Sequence, residues 1–82
     1  MSRPARIELV TTPERGDAYL LLRYILRLHP RADISMGPVT VSDRKKHKAS
    51  TYYAIFHQGQ PGRDLARDAR ALLDMLEETK GY

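Results

Sequence analysis

Polar and apolar positions alternate over residues 6–10 (Arg-Ile-Glu-Leu-Val), with Ile7 and Leu9 on one face, which predicts a half-buried strand. Thr11-Thr12-Pro13-Glu14 then reads as a helix start. Threonine accepts free N–H groups, proline suits the first helical position, and glutamate favours the positive end of the dipole. Gly16 weakens that first turn, which makes Asp17 the alternative start. Ala18, Leu21, Leu22, Ile25 and Leu28 fall on one helical stripe, widened by Leu20, Tyr24 and Leu26. His29-Pro30 ends the helix, because the residue before a proline avoids the α region.

Residues 34–36 and 39–41 are two short alternating pieces separated by Gly37-Pro38. The alternation slips by one residue across that pair, which predicts a bulge or bend, and the proline points to an edge strand. Residues 43–50 form a polar loop on this pattern. Residues 51–57 (Thr-Tyr-Tyr-Ala-Ile-Phe-His) are rich in aromatic and β-branched side chains and predict the best strand of the chain. Gly59-Gln60-Pro61-Gly62 breaks the pattern, and a second helix is expected over residues 63–80, with Leu65, Ala69, Leu72 and Leu76 as its stripe, widened by Ala66 and Leu73.

The order strand, helix, strand, strand, helix predicts a small α+β domain of β-α-β-β-α type, ferredoxin-like in its split βαβ arrangement. Three strands form one sheet and both helices pack on one face, in two layers over residues 1–82, with a basic hairpin loop at 43–50. No internal repeat or linker divides the chain. Two helices cover only one face, so one set of third-strand side chains (Tyr53, Ile55 and His57, or Tyr52, Ala54 and Phe56) is left toward solvent.

Eighty-two residues without cysteine must rely on one core, supplemented by a homodimer interface if one forms, with neither disulfides nor a thiolate zinc site. No export signal or membrane-spanning run is visible, so a cytoplasmic location and no membrane partner are expected. The net charge of +4 is unevenly spread: residues 1–50 carry ten Lys/Arg against five Asp/Glu, and residues 51–82 four against five. The excess concentrates in Arg44, Lys45, Lys46 and Lys48, with His47 among them. Such a cluster attracts phosphates, because each ion pair releases condensed counterions. Tyr52 and Tyr53 beside it offer rings for stacking unpaired bases, and His57 closes the same strand. These eight residues are the candidate partner-binding set. Basic hairpin tips also enter DNA grooves.

Nothing at sequence level supports catalysis, a cofactor or a metal. The glycines at 59 and 62 lack the lysine and spacing of a phosphate-binding loop, and His29, His47 and His57 are scattered over different elements. A metal-free ribonuclease would need His57, Tyr53 and Arg44 or Lys48 to converge.

The element order resembles that of an RNA-recognition-motif domain, with residues 48–56 standing where that family's central-strand motif lies. Tyr53, Ala54 and Phe56 fit their slots, while Tyr52 stands at the glycine position and Ile55 at the second aromatic. The first strand lacks the stacking aromatic, and no fourth strand is expected. The resemblance implies a ferredoxin-like topology and carries no function by itself.

Two functions are expected from these features. The first is nucleic-acid binding, to RNA or DNA, through the basic hairpin and an open sheet face. The alternative is a protein-interaction module, such as a phage- or plasmid-encoded, anti-CRISPR-like inhibitor or an adaptor, that docks on an acidic protein surface.

Overall fold

The structure is a computed structural model that describes residues 5–46 and 48–80. Its elements are β1 (Arg6–Thr12), α1 (Arg15–Leu28), β2 (Ile34–Asp43), β3 (Lys48–Gln58) and α2 (Arg63–Lys80). They form a small α+β fold of one three-stranded sheet and two helices. The sheet order is β1-β3-β2, and β3 runs antiparallel to both neighbours. β1 and β2 are therefore parallel to each other with β3 inserted between them.

Val10 lies opposite Ile55 in one register, and Met36 lies opposite Ile55 in the other. Partners in a ladder share a face, so these three point to the same side, where the helices lie. Val10 and Ile55 join Leu21, Ile25, Leu65, Ala69 and Leu73 in one buried cluster, with Leu9, Leu22, Ile34, Met36, Leu72 and Leu76 packed around it. Leu21, Ile25 and Ile55 are essentially free of solvent contact. Truncating any of them to alanine costs about 2–5 kcal/mol.

α2 spans the expected residues, but its buried line is Leu65, Ala69 and Leu73, with Leu72 and Leu76 half-buried beside it and Ala66 exposed. The start of α1 differs from the expected one. Thr11 and Thr12 pair with Ala54 and Tyr53, so β1 runs two residues further than its alternating pattern and the helix begins at Arg15 behind Glu14. Thr12 is buried on the helix side, and its Oγ1 accepts a long 3.5 Å bond from the Glu14 N–H. β-Branched threonines suit a strand as well as a cap, and pairing with β3 decides between them. At the other end, the His29 N–H donates to the Ile25 carbonyl at 2.8 Å and closes α1 before Pro30.

β2 corrects a second expectation. It passes through Gly37 and Pro38 in unbroken register, opposite Ala54 and Tyr53. Pro38 is tolerated because β2 is an edge strand. The register shift lies in β1 instead, between Glu8 and Val10. An extra residue there lets the consecutive apolar pair Leu9 and Val10 both pack on the core.

The two helices are tied at both ends. Lys80, in the last turn of α2, bonds Asp17 and, at 2.8 Å, Glu14 at the start of α1. His29, at the end of α1, meets Asp68 of α2 at 2.7 Å. No helix among the described residues is long and apolar enough to cross a membrane.

Candidate functional site: a basic hairpin arm

β2 and β3 are longer than β1, and their far halves pair only with each other. Thr12 opposite Tyr53 is the last rung that β1 supplies. Beyond it come Val39 opposite Tyr52, Thr40 opposite Thr51, Val41 opposite Ser50, Ser42 opposite Ala49 and Asp43 opposite Lys48. From Thr40 outward every described residue of the ribbon up to Thr51 is exposed, on both faces. The polar stretch expected as a loop over 43–50 is thus mostly strand, and the turn among the described residues is 44–46. Alternating Ser and Thr have no core to bury into, so their pattern reads as loop, although the antiparallel ladder holds them extended.

The arm is slim. Between Val39 and Ser42 on one strand and Ala49 and Thr51 on the other, no side chain is larger than valine. Thr40 Oγ1 and Thr51 Oγ1 lie 3.3 Å apart across the two strands. At the tip, the Asp43 carboxylate accepts the Lys45 N–H at 3.0 Å, an Asx turn that starts the reversal. Among the described residues, none of Arg44, Lys45, Lys46 and Lys48 makes a salt bridge. Their charge is therefore presented outward. This contrasts with α2, where Arg67 pairs with Asp64 and Asp68 and Arg70 pairs with Asp74.

The structure divides the remaining candidates. His47 lies outside the described residues. Tyr52 stands on the open face of the sheet with Ala54 and Phe56, whereas Tyr53 stands on the helix side with Ile55 and His57. The Arg6 guanidinium sits 4.5 Å from the centre of the Phe56 ring and caps the inner end of the open face. Ala54, between Phe56 and Tyr52, is fully buried. His57 is at the opposite end of β3 from the basic tip, about 30 Å from Lys48 at the usual rise per residue. There its Nδ1 donates to the Gly59 carbonyl at 2.9 Å and closes the turn into α2. His57, Tyr53 and the tip cations do not converge as a ribonuclease would require. Among the described residues, no three acidic or histidine side chains are grouped to hold a metal.

One feature beside the arm was not visible in the sequence. Where α1 begins, Arg15, Gly16 and Tyr19 face Met36, Gly37, Pro38 and Tyr53 across a groove of about 650 Å³ at the arm's root. Tyr19 is 53% exposed, with the Arg23 guanidinium 5.8 Å from its ring centre. Only the face assignment of β3 reveals that Tyr53 belongs to this groove. On the outer surface of the helix layer, Leu20, Tyr24, Leu28 and Met75 form an exposed apolar strip. Tyr24 and Met75 line one shallow cleft there with Leu72, Leu76 and Thr79.

None of the protein-family models, curated proteins or solved structures compared with the chain matches it.

Proposed function

We propose that this chain is a non-enzymatic nucleic-acid-binding protein whose contact element is the β2–β3 arm. The observation that carries this reading is the arm itself: a two-stranded ribbon, exposed on both faces, that ends in Arg44, Lys45, Lys46 and Lys48 with no carboxylate paired to them among the described residues. Four cations on a narrow projection neutralise phosphates without having to break ion pairs first. The open face, where Tyr52 and Val39 flank the arm's root, borders this contact element without supplying a stacking ring to it, and the reading goes with a cytoplasmic location. The β1-β3-β2 order with the helices over one face supports a ferredoxin-like, split βαβ description of the scaffold.

The test is fluorescence anisotropy of labelled nucleic acids at near-physiological salt, with the native chain and a Lys45→Gln/Lys46→Gln/Lys48→Gln variant. Native binding that the variant loses supports the reading. Binding that is absent in the native chain, or unchanged in the variant, removes it.

A second reading rests on the helix-layer strip. Leu28 is 58% and Met75 61% exposed, and apolar side chains grouped in this way commonly mark protein interfaces. On this reading the chain is itself an interaction module of the inhibitor or adaptor type, and a host protein or a second copy of the chain bound at the strip leaves the arm free to meet an acidic surface. Leu28→Ser/Met75→Ser would abolish co-purification of such a partner, or dimerisation, without changing affinity for nucleic acid.

A further inference from the structure

Resting on the nucleic-acid reading above, we infer that the arm is shaped for the major groove of duplex B-form DNA, in preference to single strands or duplex RNA. The first reason is width. A B-form major groove is about 12 Å wide and about 8.5 Å deep, which admits a two-stranded ribbon. Val39, Thr40, Val41, Ser42, Ala49, Ser50 and Thr51 keep this ribbon narrow over its free length.

The second reason is reach. The rungs from Thr40 opposite Thr51 to Asp43 opposite Lys48 all lie past the rung where β1 ends. Four residues at about 3.3 Å each project about 13 Å before the turn is added, more than the depth of the groove. The tip reaches the floor while the body of the sheet remains outside.

The third reason is chemistry along the walls. Thr40, Ser42, Ser50 and Thr51 place hydroxyls on the exposed ribbon, and hydroxyls bond either base edges or phosphate oxygens. Arg44, Lys45, Lys46 and Lys48 supply the positive charge that the groove's negative rims favour.

The competing ligands each meet an obstacle in the same geometry. The major groove of A-form RNA is deep and too narrow for side chains to read. Single strands are held chiefly by stacking on aromatic rings set close to the charge. Here Tyr52 and Tyr53 are on opposite faces, Phe56 lies under Arg6, and the described arm beyond Tyr52 carries no ring.

The experiment uses the full chain and four labelled probes at about physiological salt: a 20-base-pair DNA duplex, the RNA duplex of the same sequence, and each DNA strand alone. The DNA duplex is then compared with one whose cytosines carry glucosylated hydroxymethyl groups, which fill the major groove, and with the duplex pre-saturated with netropsin, which occupies the minor groove. Groove insertion requires at least about tenfold tighter binding to the plain DNA duplex than to RNA or single strands, an at least tenfold loss on glucosylation, and no loss with netropsin. Equal or tighter binding to RNA or single strands overturns the inference, as does indifference to glucosylation or competition by netropsin. Each of these leaves the nucleic-acid reading standing. Binding to none of the probes removes that reading and the inference with it.

Discussion

Tyr52 and Tyr53 are neighbours in sequence and stand on opposite faces of β3: Tyr52 lies opposite Val39 on the open face, and Tyr53 lies opposite Pro38 and Thr12 on the helix side. Side chains of a strand alternate, so no single ligand surface uses both rings. What remains continuous with the basic tip is the ribbon.

This separation yields the first prediction. If the tyrosines formed a stacking platform, removing either would cost about 1–3 kcal/mol per base contacted. With the arm as the contact element, Tyr52→Leu and Tyr53→Leu each leave affinity for duplex DNA within about threefold of the native chain, well inside the loss that a stacked base implies. Anisotropy titrations of the two variants check this.

Salt provides the second. A contact made by four cations gives a plot of log affinity against log salt with a slope of about −3.6, because each neutralised phosphate of B-form DNA contributes about −0.9. Lys45→Gln/Lys46→Gln/Lys48→Gln should flatten that slope by about 2.7. Arg67→Gln, whose guanidinium already pairs with Asp64 and Asp68, should leave it unchanged. Titrations at several salt concentrations read both.

The clasps on the helix pair set opposite pH limits. The hydrogen bond from His29 lowers the Asp68 carboxyl below its ordinary value of 3.8. Its contribution is therefore present above that value and lost as pH falls through the lowered one. The bonds to Asp17 and Glu14 raise Lys80 above its ordinary 10.5. That contribution is present below 10.5 and lost as pH rises through the raised value. Asp68→Asn should therefore lower Tm at neutral pH and converge with the native chain in strong acid. Lys80→Gln should do the same and converge in strong base. Thermal melts across pH, followed by circular dichroism, check the two signs.

Two glycines behave differently. Gly59 has φ of 81° in the turn after β3, a region that side chains enter at a cost, so Gly59→Ala should destabilise by about 1–2 kcal/mol. At Gly37 an added Cβ meets the Phe56 ring at 3.8 Å, ordinary contact distance, on an extended strand. Gly37→Ala should stabilise by about 0.4–1 kcal/mol, chiefly by restricting the unfolded chain. Urea denaturation of both variants is the check.

Much of the scaffold was legible because burial leaves periodic marks. Leu65, Ala69, Leu72 and Leu76 announce α2 to its ends, and His29-Pro30 places the end of α1. Pairing leaves weaker marks. Thr11 and Thr12 satisfy the rules for a cap and for a strand, and contact with β3 decides. Gly37-Pro38 looked like the irregularity in the sheet, whereas the bulge lies at the apolar pair Leu9 and Val10. The basic cluster at 44–48 was plain from composition. The arm was not, since exposed Thr, Ser and Val in a free ribbon have no buried face to reveal them. The groove where Tyr19 meets Tyr53 joins residues 34 positions apart, and only the sheet order brings them together.

The most direct measurement is a two-dimensional amide NMR titration of the labelled chain with duplex DNA at near-physiological salt. Binding through the arm predicts shift changes concentrated at residues 40–51, with the amides of Leu20, Tyr24 and Met75 on the helix layer unmoved. Changes centred on that helix strip, or none anywhere at saturating DNA, would contradict it.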